Sequence, residues 1–436
     1  MSNKELKEMV LNEINKIDII DIHSHLREDK LTASAIDILS YHWVLSELNS
    51  VGMDYQNLLV NDKLSVEEKY LNVIPYYLKM NNTASAWCVK TVFKDLYGFD
   101  EDLTIQNYKK LIELSESKCN DEKWAENVIS RSRIKKFVTS VGNASKYGNE
   151  KKNFDLMVDL HYLFNPSMAV DLDPWFTEFY KDETKYLEAL GKIASKRILN
   201  SNDIIEGLER FIADNYKGRA RYFNTVVFVE FRFTEVDKGD IDIIIERWNK
   251  GFTPSEQDTK LLICFVTWNI LRILDSMKCT FQICVGAEYQ ICGGRSVSRY
   301  DTTWVRDMVK ICYRFPHIKF DFMCASKIMF HEMAVAAKMI RNFHIQSMWW
   351  HTYVPSCIQL LSEYLEIVPV TKLGGFFCDA YYCEMTYGKL QMVKNAIAEV
   401  LSNKIENCFF SEKNAIDIAE RLLNKNPLEL YGLEQC

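Results

Sequence analysis

The sequence predicts an α/β chain built as a (β/α)8 TIM barrel with a helical insertion after the first strand, and three observations carry that expectation. Eight short apolar, β-branched runs alternate with longer stretches of helical periodicity. The apolar content of each run is nearly continuous, as in strands buried on both faces of a parallel sheet. The length, 436 residues of which 48% are hydrophobic, suffices for one large barrel with elaborated loops.

The first run, residues 17–23, leads from Ile17 through Ile19, Ile20 and Ile22 into His23-Ser24-His25. Runs at 136–140, 168–173, 225–232, 280–288, 318–326, 344–351 and 373–379 are read as strands two to eight. Helical patterns fill the gaps at 201–216, 260–277, 303–314, 331–342 and 355–365. The gap between the first two strands is far longer than a crossover requires. Residues 40–134 hold several helical patterns, including 65–79 and 103–115, and are expected to form the insertion over the barrel mouth. A helical tail is expected at 415–426. No repeat, low-complexity tract or Pro/Gly/Ser linker divides the chain, so residues 1–436 are read as a single domain.

The net charge of −7 arises from 53 basic and 60 acidic residues spread over the whole length, so no basic face is set aside for nucleic acid or an anionic membrane. A small-molecule partner is the default, and a homo-oligomer is left open. The amino-terminal stretch is a charged amphipathic helix without the apolar core of a signal peptide, and no later segment reaches membrane-spanning length without charge. The chain is expected to be soluble and cytoplasmic. Its thirteen cysteines are scattered through apolar runs with no CxxC pair, which suits buried thiols in a reducing compartment.

Successive strand side chains point to opposite faces, so His23 and His25 project together from the end of the first strand. With eight histidines in the chain, two on one face of an apolar strand point to a divalent metal, the alternative being a pair of hydrogen-bonded core histidines. Barrel enzymes place their reactive groups at the carboxyl ends of strands. Those ends supply Asp171 and Asp173 on the third strand, Glu230 and Arg232 on the fourth, Trp349, Trp350 and His351 on the seventh, and Asp379 on the eighth. Asp379 neighbours the first strand once a barrel closes, so His23, His25 and Asp379 are expected to hold one metal, with zinc, manganese and iron equally suited. Asp379 alone would read equally well as a turn cap. Trp350 could wall a pocket or simply pack, and His351 is a further pocket candidate. His161, His317, His331 and His344 are read as non-catalytic.

Ile19-Ile20-Asp21-Ile22-His23-Ser24-His25-Leu26, the block from Leu39 to Glu47 containing His42, the block from Met339 to Trp350, and Phe377-Cys378-Asp379 together resemble uronate isomerases of the amidohydrolase superfamily. The resemblance implies a metal-bearing barrel that interconverts an open-chain aldose acid and its ketose. It matches His23, His25 and Asp379 to the metal ligands and His42 to an active-site histidine.

The departures from that family fall where substrate would be gripped. Trp43 stands where a tyrosine usually follows the loop histidine, Asp171 where an arginine usually precedes the Asp-Pro pair, and Tyr381 where an arginine usually follows the eighth-strand aspartate. Losing two charge-assisted contacts weakens anion binding by about 1.5 to 3 kcal/mol each, so glucuronate is not expected to be a good substrate. Arg232, Arg295 and Arg299 could compensate, or Asp171 could favour a neutral, hydroxylated or cationic ligand or a second metal. Three readings follow. The first is aldose–ketose isomerisation of a sugar or sugar-like acid through an enediolate, with Asp379 or a metal-bound hydroxide moving the proton and His42 or Tyr381 assisting on oxygen. The second is a hydrolase or lyase with the same ligands and a non-uronate substrate, and the third a silent binding protein.

Overall fold

The computed structural model describes residues 3–26, 30–140, 154–164, 185–216, 220–227, 231–289, 296–298, 300–301, 303–347 and 354–433. Seven parallel strands form one sheet in the order β1 (Ile19–Ser24), β2 (Ile134–Ser140), β3 (Phe154–Asp159), β4 (Ala220–Val227), β5 (Thr280–Val285), β8 (Lys319–Cys324) and β9 (Phe343–Ile345). An antiparallel hairpin, β6 (Ala287–Tyr289) with β7 (Ser296–Ser298), follows β5. Helices Ser201–Tyr216, Glu256–Met277, Trp304–Arg314 and Phe330–Met339 link successive strands, as parallel connections require. The longest of these starts at a capping box, in which the Ser255 hydroxyl accepts from the Asp258 amide and the Asp258 carboxylate accepts from that of Ser255.

Three expected strands differ in the structure, and the fourth is Ala220–Val227, set earlier in the chain than the expected 225–232. The third sheet position is held by Phe154–Asp159, paired with β2 on one side and β4 on the other, and not by 168–173, which lies outside the described residues. Two aspartates in six residues hide this strand from an apolar reading; both are partnered, Asp155 by Lys136 at 3.6 Å and Asp159 by Asn224 at 3.1 Å. The eighth position, residues 373–379, is no regular strand. It bridges Ile345 at Leu373, and the Gly374 amide donates to Ile345 O at 2.9 Å. At its other end the Asp379 amide donates to His23 O, and the His25 amide to Ala380 O, both at 2.9 Å. The segment therefore ties the two outer strands, β9 and β1, together by backbone hydrogen bonds. Its irregularity has a local cause: a side chain at Gly374 would stand 1.6 Å from the Gln346 amide oxygen, and Asp379 adopts φ +47°, a left-handed backbone that breaks a ladder.

Between β1 and β2 lie helices Ala35–Leu39, His42–Ser50, Tyr55–Leu58, Val66–Tyr77, Ala84–Val92, Tyr108–Cys119 and Trp124–Ser132. They are joined to the later helix Cys383–Glu406 through buried Glu384, which accepts from Trp124 Nε1 at 2.9 Å and the Ala33 amide at 3.1 Å. The main core packs these and the linking helices on the outside of the sheet. A second cluster gathers Ile20, Ile22, Val138, Met157, Tyr222, Val226, Cys284 and Met323 from the strands with Leu428, Leu430, Tyr431 and Leu433 from the carboxyl-terminal segment. That segment follows helix Glu412–Glu420 and is anchored where Thr280, the first residue of β5, donates to Leu430 O at 2.8 Å. Among the described residues no helix is long and apolar enough to cross a membrane, and the eleven described cysteines are free thiols.

Candidate metal centre

β1 is buried at every position. Its pairing with β2 shifts register between Asp21 and Ser24, an irregularity of the kind that re-aims side chains. Ile20 and Ile22 join the inner apolar cluster, and His23 then meets Gln282 of β5 with Nδ1 2.9 Å from Oε1. Both His23 and His25 are buried, with ring centroids 5.1 Å apart and ring planes nearly perpendicular. Asp379 Oδ1 lies 3.4 Å from His23 Nε2 and 3.0 Å from His25 Nε2. The donor atoms of all three residues fall within 4.8 Å of one another.

Several groups hold Asp379 in its left-handed turn. Its carbonyl accepts from Tyr41 Oη at 2.9 Å and from Lys389 Nζ at 3.1 Å. Lys389 also donates to Cys378 O at 2.7 Å and Tyr41 Oη at 2.8 Å, so all three ammonium hydrogens are used. The Trp43 ring lies beneath that ammonium, 3.9 Å from nitrogen to centroid, a cation–π contact in a buried setting. Burial pulls the Lys389 ammonium below its ordinary range, while the charge of Asp379 opposes the shift. Burial alone would raise the Asp379 carboxyl; the His23 and His25 rings instead hold it well below the usual carboxylate range. For His23 burial depresses the imidazolium, but Asp379 outweighs it and the net shift is upward.

His42, the first residue of its helix, and Tyr381 stand beside this cluster. Tyr381 stacks on His25 at 5.4 Å with planes 25° apart, and His42 meets Tyr381 edge-on at 5.4 Å. The structure thus brings His23, His25, Asp379, His42 and Tyr381 together. Arg232 faces other partners: its guanidinium lies 2.7 Å from Asp301 and 3.7 Å from Asp307, at the start of helix Trp304–Arg314. Asp171, Trp350 and His351 lie outside the described residues, as do Asp173, Glu230, Arg295, Arg299 and Trp349.

Residues outside the expected site set, among them His161, expected to be non-catalytic, surround His23, His25 and Asp379. His161, just past the carboxyl end of β3, accepts the Val226 amide on Nδ1 at 3.0 Å, which leaves Nε2 as its donor when the ring is neutral. Burial pushes this imidazolium below its ordinary value; Asp159 opposes, and His25 and His23 add to the fall, so His161 lies within electrostatic reach of those two rings. Asp159, Asn224, Gln282 and Asp321 stand in register on β3, β4, β5 and β8 and form a polar row, buried at all but the partly exposed Asp159. A usable signal existed: Gln282 and Asp321 are single uncharged or acidic residues flanked by apolar neighbours in their strands, and inside a sheet such residues need partners.

The donor set fits a divalent metal. Gln282 occupies His23 Nδ1, which leaves Nε2 toward Asp379, and two imidazoles with one carboxylate make the three-ligand, open pattern of catalytic centres. A seven-stranded parallel sheet bearing such a cluster at the carboxyl end of β1 defines an α/β chain with a candidate metal centre. No protein-family model matches the chain, and no curated protein matches it. Among solved structures it is similar to a glucuronate isomerase from Caulobacter crescentus, with a TM-score of 0.84 at 12% identity, covering 100% of this chain and 95% of that one. A uronate isomerase from Bacillus halodurans C-125 gives a TM-score of 0.76 at 17% identity, with 100% and 98% covered. A protein from Lactobacillus casei, provisionally described as a metal-dependent hydrolase, gives 0.62 at 11% identity, with 97% of each chain covered. The chain has the fold of the uronate isomerases at low sequence identity.

Proposed function

We propose that this protein is a metal-dependent enzyme of the uronate isomerase type, acting on a sugar or sugar-like acid by aldose–ketose isomerisation. The observation that carries the reading is the convergence of His23 Nε2, His25 Nε2 and Asp379 Oδ1 beside His42 and Tyr381. We read residues 1–436 as one (β/α)8 barrel, with residues 373–379 as its irregular eighth position and 40–134 as an insertion over the mouth. Free, mostly buried thiols support a reducing, cytoplasmic setting.

His23, His25 and Asp379 would hold one divalent ion, zinc, manganese or iron, which supplies Lewis acidity toward a carbonyl and its neighbouring hydroxyl. Asp379, kept ionised by its two histidines, takes a proton from one carbon and returns it to the next. His42 and Tyr381 hydrogen-bond the substrate oxygens, and Tyr381 can pass a proton to them. Trp43 contributes an apolar wall and the seat of Lys389 in place of a proton-exchanging tyrosine. We assign Asp171, Trp350 and His351 to substrate recognition. Arg232 is matched by two carboxylates and is thereby less available to a substrate carboxylate. The likeness to a metal-dependent hydrolase supports one alternative, metal-dependent hydrolysis with the same donors.

The test is metal analysis of the purified protein, then a screen of uronates, aldonates and neutral sugars in deuterated water. Ketose formation with deuterium entering next to the carbonyl is the expected result. Metal-dependent release of two products would transfer the assignment to hydrolysis, and absence of any bound or activating metal would remove both readings.

A further inference from the structure

His23 is tied to the far end of the chain by a series of hydrogen bonds whose directions are all determined. Tyr431 Oη lies 2.5 Å from Asp321 Oδ2, and because a carboxylate only accepts, the tyrosine's single proton points there. The lone pairs of Oη therefore receive the Gln282 Nε2 amide, whose other hydrogen goes to Ile22 O at 2.6 Å. With Nε2 turned to those two acceptors, Oε1 must face His23 Nδ1, at 2.9 Å, and His23 must carry its proton on Nδ1. The reversed amide would set Oε1 against the Ile22 carbonyl and leave two donors facing His23. Asp321 is held from its other side by Gln346 Nε2 at 2.6 Å. Every member is buried, so water does not compete.

We propose that Asp321, Tyr431 and Gln282 form a one-way relay that fixes His23 as the Nδ1–H tautomer, making the carboxyl-terminal segment a positioning part of the metal centre. This rests on the reading of His23, His25 and Asp379 as ligands. The relay extends the carboxylate–histidine–metal arrangement by two groups: a buried acid polarises a chain of hydrogen bonds that ends on the ligand, raising its donor strength at Nε2. It also explains why a tyrosine rather than phenylalanine sits in the inner apolar cluster, its ring packed edge-on at 5.1 Å against Tyr222. Tyr431, Gln282 and Asp321 are positioning residues, since none touches the candidate ion.

The experiment measures two properties of the full chain. Long-range nitrogen–proton spectra of the metal-free, histidine-labelled protein, with His23 neutral, report its tautomer and the Nδ1–H shift, and a competing chromophoric chelator reports Kd for zinc alone. Wild type is expected to show His23 as Nδ1–H only. Gln282→Leu is expected to give mixed tautomers and a zinc Kd weaker by about 10- to 100-fold. Tyr431→Phe keeps the ring in place and is expected to move the Nδ1–H resonance upfield and weaken zinc by roughly 3- to 10-fold, the low end of outer-shell effects. If Gln282→Leu does not fold, Tyr431→Phe decides the matter alone. An Nδ1–H shift and a zinc Kd unchanged in Tyr431→Phe would overturn the relay. A wild type that binds no zinc but shows the expected shift change in Tyr431→Phe supports the relay and removes the metal reading.

Discussion

The two histidines and the aspartate of the candidate centre are placed by different physics. His23 stands on a fully buried strand and His25 one residue past its end, so the β1 ladder, with its register shift between Asp21 and Ser24, and the His25 amide bond to Ala380 O hold the pair. Asp379 stands on a segment with no ladder of its own, in a left-handed conformation unusual for a residue other than glycine. Its position depends on donors from elsewhere: Tyr41 from the loop after β1 and Lys389 from the helix Cys383–Glu406, steadied by Trp43. A strand residue inherits its geometry from the sheet, whereas a turn residue must have it imposed. The carboxylate side of the candidate centre is therefore the side most exposed to changes in distant residues.

The largest effect should come from removing the imposed ligand. Asp379→Ala is expected to abolish zinc binding and any turnover, a loss of at least about 10³-fold since ligand and proton carrier vanish together. Residual metal-dependent turnover in that variant would show that Asp379 is neither ligand nor proton carrier.

Glu384 next tests the helix that carries Lys389. Burial pushes its carboxyl up to about 7 from 4.5, against pulls from the backbone amides and Trp124. The folded chain thus holds this proton more tightly than the unfolded chain between those values, and loses stability as pH rises through them, by about 3 kcal/mol in total. Asp21 and Asp321, both raised to about 6 mainly by burial, add slope of the same sign at the lower end. Denaturant unfolding of the metal-free protein from about pH 5 to pH 8 reads the slope, and Glu384→Gln should flatten its upper part.

Lys389→Met sharpens the contrast between the two sides. It leaves the Cys378 and Asp379 carbonyls and Tyr41 short of a donor, and a destabilisation of about 1 to 3 kcal/mol is expected for buried acceptors so exposed. Zinc affinity should fall with it, while the His23 tautomer, held by Gln282, should not change. Lys389→Arg should recover part of both losses. Equal disturbance of His23 and Asp379 would show that the centre responds as one unit.

The smallest effect is expected at Tyr381. Tyr381→Phe keeps the stack on His25 and removes only the hydroxyl, so kcat should fall by a few-fold to about 10²-fold, with zinc binding intact. A loss of metal without a loss of fold would move Tyr381 from the substrate side to the ligand side.

Legibility in the sequence followed the same division. The helix Ser201–Tyr216 and the strands around residues 19, 136, 280 and 319 could be read because local pattern and tertiary role agree there. His23, His25 and Asp379 could be read as a group because residue type and strand-end position pointed the same way. β3 was hidden because Asp155 and Asp159 interrupt its apolar run, and their partners, Lys136 and Asn224, lie on neighbouring strands. The irregular eighth position was hidden because close approach to Gln346 at Gly374 is a tertiary fact. Gln282, Tyr431 and Lys389 were invisible for a related reason: Gln282 is 259 residues from His23, Tyr431 is 149 from Gln282, and Lys389, though 10 from Asp379, reaches it from a separate helix. His161, expected to be non-catalytic, has its ring within reach of the charges on His23 and Asp379.

The most direct measurement is anomalous diffraction from crystals of the full chain grown with zinc. The account predicts one strong peak at about 2.0–2.2 Å from His23 Nε2, His25 Nε2 and an Asp379 oxygen, with His23 Nδ1 still on Gln282. No peak between those three residues, or a zinc held by His23 through Nδ1, would contradict it.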